Sequence, residues 1–103
     1  MPKLTRFEDL TCLAPLDNMF YIYILKGEKD HNFYTGYTNN LKKRLEEHNK
    51  GIIESTKMRR PLRLLYYEAC LNKEDALHRE QYLKTAWGKR FIKTRLKNYL
   101  KSI

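Results

Sequence analysis

Hydrophobic and polar positions divide the first half of the chain into short apolar runs separated by polar stretches. The run Phe20-Tyr21-Ile22-Tyr23-Ile24-Leu25, directly after Met19, is rich in β-branched and aromatic residues and predicts a β-strand. Gly27 and Asp30 in the polar stretch that follows predict a turn, and residues 32–38 predict a second strand. Two strands joined by a short turn predict a β-hairpin.

The remaining pattern predicts three helices and one more strand. Asn39 or Asn40 caps a helix that runs to about Asn49, and Gly51 ends it. The later elements are a basic loop over 52–60, a strand over 62–69 after Pro61, a helix from an Asn72 cap to about residue 85, and a helix over 87–100. The predicted order is ββαβαα, which is an α+β fold.

The length and the hydrophobic content indicate a single domain. The chain has 103 residues, of which 42% are hydrophobic, so one core is expected rather than two. Residues 1–18 show mixed polarity and no sustained period. We therefore expect an N-terminal extension over 1–18 and a domain over 19–103.

The cysteines and the apolar runs argue against a disulfide-bonded, secreted or membrane-spanning protein. Cys12 and Cys70 are too few for a disulfide framework, so both are expected to be reduced thiols. No apolar run approaches the roughly 18 residues of a membrane-spanning helix, and the N-terminus lacks the apolar core of a signal peptide. The expectation is a cytoplasmic protein that does not bind membranes.

The positive charge lies mainly in the C-terminal part of the chain. The formal net charge is +9, and residues 57–101 contain thirteen basic and four acidic residues. Such a surface attracts polyanions, and nucleic acid is the partner that it favours. A solvated surface that serves only solubility is the alternative. The candidate phosphate contacts around the basic loop and the next strand are Lys57, Arg59, Arg60 and Arg63.

Arg44 breaks the hydrophobic pattern of the first predicted helix. It lies three residues after Leu41 and four before His48, at the border of the apolar row. A guanidinium at that position needs an anion nearby. The alternative is that its stem packs and its charged end extends into water.

Glu80 breaks the pattern of the second predicted helix. It lies four residues after Ala76 and three before Leu83, so a carboxylate faces inward. One explanation is a structural salt bridge with Arg79 or Arg44. The other is a metal ligand or an acid–base group.

Tyrosines of the predicted hairpin add to this chemistry. Tyr34 and Gly36 share one face of the second strand, and an isolated glycine in a strand often marks close approach of a ligand or of another chain segment. Tyrosines in hairpins are commonly packing residues. Phenol, guanidinium, imidazole and an inward carboxylate are nevertheless the groups that metal-assisted phosphodiester hydrolysis requires.

These motifs resemble the GIY-YIG nuclease superfamily. Tyr-Ile-Tyr at 21–23 is similar to the first motif, and Tyr-Thr-Gly at 34–36 is similar to the second. Arg44 follows Tyr34 by ten residues, as the arginine does in the excinuclease nuclease domain, and His48 comes four residues later. Glu80, within Ala-Leu-His-Arg-Glu, matches the metal-binding glutamate of the family. The resemblance extends over about residues 19–100.

The resemblance implies a fold and an active site. The fold is a small three-stranded antiparallel sheet flanked by helices. Tyr23 and Tyr34 line the site of the attacking water, and one of them is the general base. Arg44 supports the scissile phosphate, His48 assists a tyrosine or orients a phosphate, and Glu80 holds a single Mg²⁺ or Mn²⁺. Asn98 matches a late asparagine of the family and is a candidate nucleic-acid contact.

The implied function is an endonuclease that hydrolyses DNA phosphodiester bonds, in repair or on structured DNA. The five site residues are then expected to converge on one concave surface. Two positions depart from the family pattern: Tyr21 replaces the glycine of the first motif, and Tyr37 stands where some members have lysine. The alternative is a basic nucleic-acid-binding module of the same fold without catalysis.

Overall fold

The structure, a computed structural model, describes residues 18–102. Its strands are β1 (Phe20–Gly27), β2 (Phe33–Thr38) and β3 (Leu62–Cys70). Its helices are α1 (Leu41–Lys50), α2 (Lys73–Leu83), α3 (Ala86–Arg95) and α4 (Lys97–Lys101), and one 3₁₀ turn (Lys57–Arg59) precedes β3. The extension expected over 1–18 lies outside the described residues, except for its last position.

The three strands form one antiparallel sheet in the order β2-β1-β3. The first strand of the described residues, β1, is therefore the central one, and β2 and β3 are the edge strands. Tyr23 in the middle of β1 lies opposite Gly36 on β2 and Tyr67 on β3. This architecture confirms the predicted α+β fold with a three-stranded antiparallel sheet flanked by helices.

Alternate residues of β1 enter two separate cores. Ile22 and Ile24 point to one face, where they pack against Ala76, Leu83 and Ile92 of α2 and α3. Burying one such aliphatic side chain contributes about 1.5–3 kcal/mol. On the other face, Tyr23 and Leu25 pack with the apolar residues Leu41 and Leu45 of α1 and with Tyr34, Leu62 and Leu64. The sheet is thus anchored from both sides, and Tyr23 belongs to the α1 side.

The helices that carry the candidate site begin at the predicted caps. The Asn40 side chain accepts a hydrogen bond from the backbone N–H of Lys43 (3.1 Å), and the Asn72 side chain accepts one from Asp75 (3.0 Å). Gly51 ends α1 with φ of 82°, a left-handed conformation that favours glycine. These caps fix the registers of α1 and α2 against the sheet.

The last predicted helix, over 87–100, is divided. The backbone at Leu96 (φ −106°, ψ 20°) leaves the helical conformation and separates α3 from α4. Leu96 still donates to Ile92 O and accepts from Leu100 N, so the hydrogen bonds continue across the bend. Leu96 also packs against the core formed with α2, which places the bend where the chain meets the sheet.

Two further findings concern the described residues alone. Between residues 18 and 102, no helix has the length and apolar character needed to cross a membrane. Cys70 is a free thiol, as expected, and Cys12 lies outside the described residues.

Candidate active site

The phenol of Tyr23 lies over Gly36 of the edge strand. A Cβ atom built on Gly36 would come within 2.4 Å of the Cζ and hydroxyl oxygen of Tyr23. No other residue type leaves room for the ring, so the glycine of the second motif is explained by a neighbouring side chain. The ring is fully buried, and its hydroxyl is directed to the β2 edge of the sheet.

A buried chain of hydrogen bonds holds Tyr23 in place. Its hydroxyl is 2.9 Å from Nε2 of His48, and Nδ1 of His48 is 2.7 Å from Oγ1 of Thr56. All three side chains are inaccessible to solvent. Both ring nitrogens of His48 therefore have partners, and the imidazole orients the phenol.

Burial controls the protonation of this chain. Burial, with a second contribution from the Arg44 charge, lowers the pKa of His48 from 6.5 to about 4, so the imidazole is neutral near pH 7. Burial also raises the pKa of Tyr23 from 10 to about 12, against the opposing effect of Arg44. Tyr23 consequently keeps its proton at neutral pH.

Arg44 adjoins the Tyr23 hydroxyl from helix α1. Its interaction with Tyr23 is the main cause that raises the pKa of the guanidinium, and Nη1 forms an ion pair with Glu47 at 3.2 Å. The Nε atom is buried, and no acceptor within residues 18–102 forms a hydrogen bond with it. A groove of about 420 Å³ beside Arg44 is also lined by Lys43 and Lys73. Three cations, together with the Glu47 carboxylate that pairs with Arg44, thus line a groove beside a buried, unsatisfied donor.

Tyr34 completes the aromatic part of the cluster. Its ring centroid lies 5.2 Å from that of His48 and 6.3 Å from that of Tyr23. Unlike Tyr23, Tyr34 is only half-buried. The structure therefore brings together Tyr23, Tyr34, Arg44 and His48, and among the two tyrosines Tyr34 is the one accessible from solvent.

The helix that carries Glu80 does not lie on the same face of the sheet as the other four candidate residues, although all five residues are expected on one surface. Its helix, α2, packs through Ala76 and Leu83 against the opposite face of the sheet, because that helix covers the apolar side chains Ile22 and Ile24. The Glu80 side chain is 14% exposed and pairs with Lys84 at 3.3 Å. Its charge nevertheless contributes to the raised pKa of Tyr23. The carboxylate therefore acts on the phenol only through its charge, from a helix that packs on the other face of the sheet.

The salt bridge considered for Glu80 has a different composition from the one expected. Arg79 donates two hydrogen bonds to Glu68 of β3, at 2.8 and 3.0 Å, and does not pair with Glu80. Lys84 is half-exposed, so its ion pair with Glu80 is worth little. Glu80 is therefore a shielded carboxylate whose ion-pair partner is a surface lysine with a flexible side chain.

The basic residues predicted to bind nucleic acid surround the loop before β3, where it meets the turn between β1 and β2. None of them, in the part described, forms a hydrogen bond or an ion pair with the five residues above. Three are paired with carboxylates, which neutralises part of their charge. The contacts are Lys57–Glu54 (3.3 Å), Arg59–Asp30 (2.9 Å), Arg63–Glu28 (3.2 Å) and Arg60 Nε to Lys57 O (2.8 Å), and Asn98 is exposed on α4.

Sequence analysis missed Thr56, which orients His48. Thr56 lies eight residues after His48 in an irregular loop and is fully buried. Only the return of the chain after Gly51 brings the two side chains together, and that return is not encoded in a motif.

Comparison with known proteins bears on this arrangement. A family model described as the GIY-YIG catalytic domain matches residues 19–95. The chain belongs to the GIY-YIG family. The four clustered residues and Glu80 lie inside the matched range, and Asn98 lies outside it. The resemblance drawn from the motifs is thereby confirmed, and the family places the chain in a nuclease superfamily.

Similar proteins within this family have been found in several bacteria. The chain is 49% identical over 67 residues to UPF0213 protein CPE1444 of Clostridium perfringens, which covers 64% of this chain and 71% of that protein. It is 44% identical over 85 residues to a UPF0213 protein of Pediococcus pentosaceus. That alignment covers 82% of this chain and 88% of the Pediococcus protein. The NMR structure of UPF0213 protein BH0048 from Bacillus halodurans is 32% identical, covers 74% of this chain and 83% of that chain, and has a TM-score of 0.48.

Proposed function

We propose that this GIY-YIG protein is a cytoplasmic, divalent-metal-dependent endonuclease that hydrolyses DNA phosphodiester bonds, with a role in repair or on structured DNA. The observation that supports this most directly is the buried Nε of Arg44, which lacks an acceptor within residues 18–102 and lies beside a groove lined by Lys43 and Lys73. An unsatisfied buried donor costs about 1–3 kcal/mol. A phosphate bound in the groove offers acceptors to the Arg44 guanidinium, and the lysines attract the polyanion.

Glu80 fits the demands of a magnesium site. Within residues 18–102 there is no cluster of three or more side chains able to hold a metal ion by themselves. Mg²⁺ does not need such a cluster, because one or two carboxylates, water molecules and substrate phosphate oxygens complete its coordination. Glu80 is a largely shielded carboxylate whose charge contributes to the raised pKa of Tyr23, and we assign it as the ligand. A bound Mg²⁺ or Mn²⁺ supplies positive charge that stabilises the leaving oxygen.

The protein's own residues divide the remaining tasks. Arg44 binds the scissile phosphate and offsets its charge in the transition state. Tyr23 keeps its proton because of its pKa of about 12, and the hydrogen bond to His48 fixes its hydroxyl. Tyr34 is the accessible tyrosine, and we assign it as the general base: it first loses its own proton to solvent, and the resulting phenolate takes the proton of the attacking water. His48 acts by positioning Tyr23, since its pKa of about 4 leaves it neutral.

A second candidate function is a nucleic-acid-binding module without catalysis. The basic residues Lys57, Arg59, Arg60 and Arg63, together with Asn98, favour it, because they lie outside the tyrosine cluster and the net charge is +9. Contacts to phosphates alone would give sequence-tolerant binding that weakens steeply with salt.

Cleavage assays separate the two functions. Purified protein is incubated with Mg²⁺ or Mn²⁺ and labelled duplex, flap, junction and single-stranded DNA. Glu80→Gln, which removes the charge and keeps the shape, should slow cleavage by about 100-fold or more. Glu74→Gln changes an exposed carboxylate in the first turn of the same helix and should leave the rate unchanged.

Two results would contradict the nuclease assignment. Equal cleavage by Glu80→Gln and the wild type would reveal a contaminating enzyme and remove Glu80 from the site. Tight DNA binding without cleavage under either metal would favour the binding module.

A further inference from the structure

A second surface pocket adjoins the groove that contains Arg44. It has a volume of about 420 Å³, within the roughly 300–1,000 Å³ of small-molecule sites. Asn39 and Asn40, in the turn between β2 and α1, line both cavities. A ligand that occupies the groove therefore has a second compartment within one turn of the chain.

Two aromatic rings form the floor of this pocket. Tyr21 of β1 and Tyr67 of β3 have ring centroids 6.0 Å apart and an interplanar angle of 56°. Tyr67 is 51% exposed, which is high for an aromatic side chain on a sheet. Leu41 and Leu45 of α1 add apolar walls. Because the two rings are inclined at 56°, a flat aromatic ligand stacks on the exposed ring of Tyr67 and meets Tyr21 at its edge.

The rim of the pocket is polar and basic. The Asn40 side-chain oxygen is used by the cap of α1, whereas Asn39 is exposed at the mouth. An amide side chain presents both a donor and an acceptor, which matches the edge of a nucleobase. Lys42 is exposed beside it and carries a charge that attracts phosphate.

Tyr21 connects the pocket to the candidate active site. It stands two residues before Tyr23 on the same face of β1, so the pocket floor and the candidate active site belong to one strand. It also occupies the position at which the first motif of the family has glycine. A glycine there would remove one of the two rings.

We propose that this pocket binds a single unpaired nucleobase next to the scissile phosphate, by stacking on the exposed ring of Tyr67 with Tyr21 at the edge of the base. The proposal rests on the proposed nuclease function, since the phosphate is the one held by Arg44. A base inside a duplex is stacked on both sides and cannot enter without being unpaired. The pocket therefore selects DNA that offers an unstacked base at the cleavage point, such as single strands, flaps and bubbles.

Binding without metal tests the pocket separately from cleavage. Fluorescence anisotropy is measured with labelled single-stranded and fully paired oligonucleotides in the presence of a chelator. We expect tighter binding of the single strand by the wild type. Tyr67→Ala should raise the dissociation constant for the single strand by about 5- to 150-fold, as expected for loss of one stacked base. Tyr67→Phe keeps the ring and should bind like the wild type.

A matched control tests whether any exposed tyrosine has this effect. Tyr82 is 41% exposed on α2, at the opposite face of the sheet. Tyr82→Ala should leave binding of single strands unchanged. An equal loss for Tyr82→Ala and Tyr67→Ala would mean a diffuse surface effect and would overturn the pocket.

A modified substrate tests the pocket in the unaltered protein. An abasic site is moved one position at a time along a single-stranded substrate, and both binding and cleavage are measured. One abasic position next to the cleaved bond should weaken binding as much as Tyr67→Ala does, and Tyr67→Ala should show no further loss on that substrate.

Cleavage that is indifferent to every abasic position would overturn the pocket and leave the nuclease assignment intact. A third outcome combines two results: binding of the single strand depends on the base at one position, and Glu80→Gln cleaves like the wild type. That outcome would support the pocket and contradict the nuclease site. A wild type that binds no single strand overturns the pocket directly.

Discussion

Lowering the pH should destabilise the protein through His48. Burial first, and the Arg44 charge second, lower its pKa from 6.5 to about 4 in the folded state. Between these values the unfolded chain binds a proton that the native protein excludes, so the free energy of unfolding falls as the pH falls. The contribution is fully present above pH 6.5 and is lost progressively toward pH 4. Between about pH 7 and pH 5 the expected loss is about 2 kcal/mol.

Urea unfolding from pH 7 to pH 5 measures this loss. Carboxyl groups titrate mainly below this interval, so the histidine dominates the slope. His48→Gln cannot titrate and should lose most of the pH dependence, although it is less stable than the wild type at pH 7. His78→Gln, which changes an exposed histidine on α2, should keep the slope of the wild type.

An NMR titration gives an independent reading. The imidazole of His48 should remain neutral throughout the range in which the protein stays folded. A midpoint near 6.5 for His48, or identical slopes for His48→Gln and the wild type, would refute the role of burial.

Three further predictions concern the framework of the site. Gly36→Ala places a methyl group against the Tyr23 ring and should lower the free energy of unfolding in urea by about 1–3 kcal/mol. Cleavage should fall in proportion to the displacement of the phenol. A stable, fully active variant would contradict the close approach of Tyr23 to Gly36. Asn72→Ala removes the cap of α2 and should cost about 1 kcal/mol, measured in the same way, with no effect expected if the hydrogen bond to Asp75 is unimportant. A protein that begins at Met19 should melt within a few degrees of the full chain; a loss of roughly 10 °C, or about 2 kcal/mol, would show that residues 1–18 belong to the core.

The parts of the fold that the sequence predicts well depend on local chemistry. The cap at Asn40, the left-handed Gly51 and the apolar run of β1 each determine the conformation of a few adjacent residues. Their positions in the structure therefore match the prediction closely. The bend at Leu96 was not predicted, because neither glycine nor proline marks it.

Side-chain partners are harder to predict, because they depend on how elements pack. Arg79 is an expected partner of Glu80 on the same helix, yet it pairs with Glu68 of β3 on the sheet face that this helix covers. The contact of His48 with Thr56 depends in the same way on a loop that closes over α1. Arg44 is recognisable because it interrupts the apolar row of its helix, whereas the roles of Tyr23 and Tyr34 come from the match to a family pattern. The side of the sheet on which Glu80 lies depends on how its helix packs, which the sequence does not determine locally.

The central position of β1 has a consequence for the order of folding. β1 leaves the ribosome before β2 and β3, yet it cannot be covered on both edges until β3 has been synthesised. The hairpin of β1 and β2 needs only a short turn, whereas pairing of β1 with β3 closes a loop that includes α1, at a higher entropic cost. Until that step, one edge of β1 has open hydrogen-bonding groups and invites pairing with other chains. The late docking of β3 is thus the stage at which the nascent protein is most exposed to aggregation.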